Sequence, residues 1–274
     1  MSQLIHPSAL IEAGAQLHPS VAVGPYSIIG ANVKIGEGST VGSHCVIEGH
    51  TTIGQNNTIH NYAALGAAPQ DKKYAGEPTQ LVIGDGNTIR EFCTFNAGTV
   101  SGGGITRIGS DNLFMAYVHL AHDCQIGSHT IFANNSQLAG HVVVGDWVIL
   151  GGFTVVRQFL RLGAHSFTAM CSLLFADLPP FVTCEGQPAD ARTVNAEGLR
   201  RRGFSAERIA AVKAMHKALY RENLTLDAAK QRIQDIAVQT PEAQPDVAMM
   251  LDFLAGVGKP GIVRRRRDPT ECPV

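Results

Sequence analysis

His122 is followed directly by Asp123, and His141 comes nineteen residues later. An imidazole suits proton transfer near neutral pH, and an adjacent carboxylate can orient or polarise it where the turn allows. A second imidazole can hold an anionic group or assist polarisation. Gly140 precedes His141, and a glycine amide lets substrate come close enough to donate to an oxyanion. His119 lies three residues before His122, and Arg157 and Gln158 lie 16 and 17 residues after His141. No serine or cysteine accompanies them in a nucleophile setting. The set suits direct acyl transfer with a general base and no covalent enzyme intermediate. His6, His18, His44, His50, His60, His129 and His216 are read as exposed turn residues.

What must position these groups is a beat of six. Ile5, Ile11, Leu17, Val23, Ile29, Ile35, Val41, Ile47, Ile53, Ile59 and Leu65 recur without a miss. A helix repeats near 3.6 residues and a strand at 2, so a strict six is neither. It is a chain that turns a corner every six residues and stacks each coil on the last. Small residues, Gly24, Gly30, Gly36, Gly42, Gly54 and Gly66, follow the aliphatics and fit tight corners. The fold class is mainly β: a left-handed parallel β-helix of hexapeptide repeats with a C-terminal α-helical domain. With eighteen residues per coil, Gln158 lies two coils beyond His122. His141 lies one coil and one residue beyond it, with α-carbons about 6 Å apart on one outer face.

The beat breaks near 70–82 and 100–107, and holds again from Ile108 to Leu174 with Thr168 out of pattern. Both breaks are read as loops thrown out from corners, the first carrying Asp71, Lys72, Lys73 and Tyr74. Pro179 and Pro180 cannot donate to a ladder and mark an exit from the sheet. Helices follow: from about Ala206 to Tyr220 behind a Ser205 cap, from Thr225 or Asp227 to near Gln239, and from Asp246 to Ala255. The expected domains are 1–185 for the β-helix and 186–274 for the helical part, whose tail from Arg264 to Arg267 reads as a frayed, flexible end.

Composition excludes several classes. A net charge of −1 over 274 residues gives no global field for nucleic acid or membrane. No apolar run reaches the roughly 18 residues of a membrane span, and the start does not read as a signal peptide. Six scattered cysteines with no CxxC pair fit a reducing cytosol better than a disulfide frame or a structural zinc site.

The stretches QDKKYAGEPT, GSDNLFMAYVHLAHDC, LAGHVVVGD, GAHSF and NAEGLRRRGFS closely resemble the UDP-N-acetylglucosamine acyltransferase family. The resemblance covers nearly the whole chain. It implies a cytoplasmic homotrimer with no cofactor or metal. The implied reaction moves a 3-hydroxyacyl group from acyl carrier protein to the 3-hydroxyl of UDP-N-acetylglucosamine, the first step of lipid A biosynthesis. It implies His122 as base, Asp123 as its partner and Gly140 as oxyanion donor, in a site between subunits. It places His119 and His141 with the sugar nucleotide, and Gln70, Asp71 and Lys73 on the loop that meets the sugar. Gln158, Asn195, Glu197, Arg201 and Arg202 match positions that bind nucleotide or phosphate. The chain departs from the family pattern at Asn96, Ala97 and Arg157, and Arg157 is assigned to phosphate as compensation. Met170 stands where the acyl groove ends, so its thioether favours a decanoyl-class donor over a myristoyl-class one. Competing readings are an acyltransferase for a 3-amino sugar nucleotide, an acetyl-CoA-dependent hexapeptide transferase, a zinc lyase like the γ-carbonic anhydrases using His119, His122 and His141, and a non-catalytic scaffold.

Overall fold

From Val23 onward the aliphatics of the sixfold beat are buried, and Ile5, Ile11 and Leu17 pack partly buried below them. The computed structural model describes residues 4–259 and 261–264, and in these the beat builds a left-handed parallel β-helix with a triangular section. Among the described residues its faces carry nine, eight and ten strands, here called faces I, II and III. Strands pair in strict eighteen-residue register where no loop intervenes, as in His119↔Gln137 and Gln137↔Val155. Midway along, Phe95, Phe114 and Phe132 fill the prism with ring centroids 5.0 Å apart. Thr168, out of pattern in the sequence, is buried with its hydroxyl 2.7 Å from that of Thr154, so its polar atom is satisfied.

The corners work differently from the sequence reading. Gly24 and Gly36 are needed because a Cβ would run into the backbone of Gly42 and Gly54 in the next coil, not because of their own dihedrals. The left-handed corner position is mostly taken by large residues, Tyr26, His44, Tyr62, Phe92 and Tyr117 among them. That conformation costs roughly 1–2 kcal/mol for a residue with a Cβ. These five rings stack in one column at 4.9–5.2 Å, an arrangement that offsets part of the cost.

Both breaks in the beat leave the prism at the corner between faces I and II. The first spans 68–79, between strands Ala64–Ala67 and Gln80–Ile83. The second spans 97–104, between Thr94–Asn96 and Ile105–Ile108, and holds a short turn of 3-10 helix at Val100–Gly102.

The paired prolines do not end the sheet. They occupy a corner, where no ladder N–H is required, and Val182–Glu185 continues face III in parallel with Phe167–Thr168. Asp190–Val194 then pairs antiparallel with it. Four helices follow: α1 (Ala196–Arg201), α2 (Ala206–Tyr220), α3 (Leu226–Gln239) and α4 (Gln244–Ala255). Asn195, Ser205 and Thr225 cap the first three with their side chains. α4 begins two residues before the expected Asp246 because Pro245 sits in its first turn, where a missing N–H costs nothing. His216 is not an exposed turn residue but lies buried on α2. The helices pack a core of their own that includes Phe181 of the corner and Val194 of the sheet. The chain then returns to the prism, where Ile262 bridges Asp177 and Ala191 donates to the Arg264 carbonyl. Residues 265–267, and with them most of the tail expected to fray, lie outside the described residues.

Replacing Phe114, fully buried between two rings, with Ala is expected to cost about 3–5 kcal/mol, read as a lowered midpoint of denaturant unfolding.

Candidate active site

The I–II corner that releases both loops also carries His122 and Asp123, one coil further on. The second loop folds down onto this coil. The Thr99 N–H donates to Asp123 Oδ1 at 2.8 Å, and the Thr99 hydroxyl to Oδ2 at 2.6 Å. Thr106 Oγ1 accepts from the Asp123 N–H at 2.8 Å. Gly102 lies so near the carboxylate that a Cβ there would overlap it. Asp123, 3% exposed and held in the left-handed conformation, is thus fixed from several directions. Its Oδ2 meets His122 Nδ1 at 2.7 Å. An ionised carboxylate only accepts, so the network assigns the ring proton to Nδ1 and leaves a lone pair on Nε2.

Gly140 lies against the face of that ring. A Cβ on Gly140 would stand 2.6 Å from His122 Cε1 and 2.8 Å from Nε2. Its neighbours Ala139 and His141 donate to the carbonyls of Val156 and His122, while the Gly140 amide has no backbone acceptor among the described residues. His141 meets His122 edge to face at 5.1 Å, with Nε2 3.6 Å from Asp123 Oδ2. Its other face stacks on Phe159 at 4.4 Å, so Phe159, which the sequence reading passed over, is what holds His141. Arg157 and Gln158 are exposed on the same corner. Cys124 is no nucleophile: burial pushes its thiol up to about 12.

The other expected residues fall elsewhere. Gln70 and His119 line an open depression of about 400 Å³ on face I with Phe92, Thr94, Tyr117, Asn135 and Gln137. His119 takes a 2.7 Å hydrogen bond with Thr94 Oγ1, and burial lowers its pKa, so its ring is neutral there. Asp71 organises the first loop by accepting from the Lys73 N–H at 3.0 Å. Asn96 is buried at the root of that loop and donates to the Ala68 carbonyl at 3.1 Å. Met170, 70% exposed, stands at the III–I corner.

A third group surrounds the II–III corner. Arg202 donates to the Trp147 carbonyl at 3.1 Å, lies 5.0 Å over the Trp147 ring and meets His165 Nδ1 at 3.0 Å. Burial, with Arg202 beside it, pushes the His165 pKa down to about 4. Arg202 therefore has a structural role, clamping α1 to the prism. Arg201 is exposed and pairs with Glu197 at 3.1 Å, and Asn195 is engaged as the α1 cap.

Residues 32–67 and 105–140 match the family model for the bacterial transferase hexapeptide (six repeats). Residues 177–263 match Udp N-acetylglucosamine O-acyltransferase, Domain 2. An acyl-[acyl-carrier-protein]–UDP-N-acetylglucosamine O-acyltransferase of Verminephrobacter eiseniae is 57% identical over 260 residues, 95% of this chain and 99% of that protein. The chain belongs to the UDP-N-acetylglucosamine O-acyltransferase family. A relative of the same name from Albidiferax ferrireducens is 67% identical over 203 residues, 74% of this chain and 77% of that one. The solved UDP-N-acetylglucosamine O-acyltransferase of Moraxella catarrhalis superposes with a TM-score of 0.91 at 40% identity, covering 96% of this chain and all of that one.

For this acyltransferase, counting in eighteens brings His122, Gly140 and His141 together as expected. It misses Thr99 and Gly102, because they reach Asp123 from an insertion that has no fixed register, and Thr106, on the strand directly after that insertion. The signal available was the hydroxyl-rich TVSGGGIT itself, one coil before the histidine. Thr99→Val is expected to free one side of Asp123 and lower kcat about tenfold with the fold retained, measured by steady-state kinetics beside circular dichroism. The lowered His165 pKa makes the unfolded chain bind a proton first as pH falls. Stability is therefore full above about pH 6.5 and falls towards pH 4, and His165→Gln is expected to flatten that part of a stability–pH curve.

Proposed function

We propose that the chain transfers a 3-hydroxyacyl group from acyl carrier protein to the 3-hydroxyl of UDP-N-acetylglucosamine, opening lipid A biosynthesis in the cytoplasm, with His122 as general base. The observation that carries the chemistry is the His122 ring, held through Nδ1 by an anchored carboxylate with Nε2 left to accept a proton beside Gly140. Nε2 takes the proton of the sugar hydroxyl as its oxygen attacks the thioester carbonyl. The C–O bond forms, and the Gly140 N–H receives the developing oxyanion. The C–S bond then breaks, and the imidazolium returns its proton to the departing carrier thiolate. Asp123 keeps the tautomer and stabilises the imidazolium without taking the proton.

The distribution of the remaining residues supports a homotrimer. The depression of Gln70 and His119 lies on face I, with His119 three residues or about 10 Å of chain before the His122 corner. When face I of three copies turns to a common axis, the I–II corner of one copy meets the III–I corner of the next. His122, Asp123, Gly140, His141, Arg157 and Gln158, with Gln70, Asp71 and Lys73 on a loop from that same corner, then face the III–I corner of a neighbour beside its His119. Met170 lies on that same III–I corner, where its exposed thioether would end an acyl groove between copies. Asn195, Glu197 and Arg201 take the nucleotide end, with Arg202 as their anchor. In this reading the domains divide at 185/186, with Asp190–Val194 of the second part adding an antiparallel strand to face III before the helices begin.

His122→Gln is expected to lower kcat by about 10²–10⁴ with assembly unchanged, and wild-type turnover in that variant would overturn the assignment. A donor series from decanoyl to myristoyl chains is expected to favour the shorter in the wild type and the longer in Met170→Gly. Equal rates for both donors in the wild type would remove Met170 from the groove.

A further inference from the structure

His122 Nδ1, Asp123 Oδ2 and His141 Nε2 all lie within 4.8 Å of one another. Two imidazoles and one carboxylate converging from one corner are a donor set for a divalent transition ion. From this we propose that the His122–Asp123–His141 corner binds a zinc-class cation, and that this ion shuts the enzyme off by reversing the tautomer of His122.

The separations fit. A tetrahedral ion with bonds of about 2.0–2.2 Å spaces its ligand atoms roughly 3.3 Å apart. Asp123 Oδ2 stands 3.6 Å from His141 Nε2 and 2.7 Å from His122 Nδ1. The second distance must open by roughly half an ångström, and the two imidazole nitrogens, within 4.8 Å of each other, must come to the same spacing, both by rotation of the rings. The two imidazoles are partly open to solvent, with side chains 17% and 22% exposed, so an ion can enter and a water can fill the fourth position. Mixed imidazole and carboxylate donors select zinc, cobalt(II) or nickel(II) over magnesium or calcium, which take oxygen shells. His119, the third histidine of a zinc lyase, is not part of this cluster; it is bonded to Thr94.

Inhibition follows from proton placement. Neutral imidazole carries one ring proton, now on Nδ1 and directed at Asp123. An ion on Nδ1 needs that lone pair, so the proton moves through solvent to Nε2. No proton is gained or lost, but the nitrogen that should accept the hydroxyl proton already holds one. The ion need not touch substrate. The site rests on geometry alone, whereas its inhibitory effect rests on His122 being the base.

Cobalt(II) gives a direct readout, since a low-symmetry four-coordinate site with imidazole donors absorbs visibly where the hexaaquo ion scarcely does. Titration of the wild-type protein is expected to give one bound cobalt per chain, displaced by zinc and removed by EDTA. His141→Gln is expected to weaken binding at least about tenfold. Nitrogen-15 spectra of the His122 ring are expected to show the proton moving from Nδ1 to Nε2 on zinc binding. Acyl transfer should be lost over the same zinc concentrations, unaffected by magnesium, and return with EDTA. Absence of cobalt binding up to about 1 mM, or binding unchanged in His141→Gln, overturns the site. Stoichiometric binding with transfer unimpaired, or with the Nδ1 proton retained, overturns the tautomer reversal. If the wild type showed no transfer at all, the cobalt and nitrogen-15 readouts would still decide the site.

Discussion

The stacking of one coil on the next governs everything else in this protein. Each coil's strands pair in register with those of the next, eighteen residues on where no loop intervenes, so the height of side chains along the prism is quantised. A corner residue can only meet corner residues of the adjacent coils. That rule places aliphatics in a dry axis, rings in outer columns, and His122, Gly140 and His141 against one another. It also explains why a glycine is needed where it is. Backbone meets backbone at Gly24 and Gly36, and backbone meets the His122 ring at Gly140. One spacing thus sets both packing density and the clearance around the imidazole.

Charge is handled sparingly within this frame. The chain is close to neutral overall, and its ion pairs of consequence sit at junctions. Arg161 reaches Asp177 at 2.9 Å and the Phe253 carbonyl at 3.1 Å, joining prism to α4. Arg208 grips Asp246 with two 2.8 Å bonds between α2 and α4. Arg202 binds the II–III corner through a carbonyl, a ring face and a neutral histidine. The helical part is therefore held by guanidinium forks whose planar geometry resists rotation, and α1 is presented at a set angle.

How far the sequence could be read follows from the same rule. Residues bound to the eighteen-residue register were legible, including the pairing of His122 with His141, as were the helix caps Ser205 and Thr225, which act within a few residues of sequence. Residues whose partners come from outside the register were not. Thr99 reaches Asp123 from an insertion, Arg202 finds His165 across a domain contact, and Pro179–Pro180 sit at a corner that looks like an end. The six-residue α1 is too short to show a period, and His216 is buried by helices whose packing the solenoid does not dictate.

The two insertions share a corner, and this has a consequence for how such a molecule changes over time. A solenoid lets chain be added at a corner without altering the height of any later coil. The rung carrying His122 keeps its place whether the segments before it grow or shrink. The coils and the first loop thrown out from them are thus separable: a fixed bench with exchangeable fittings. Segment 68–79 can be trimmed or extended without shifting that rung, whereas 97–104 is tied to it through Thr99 and Gly102.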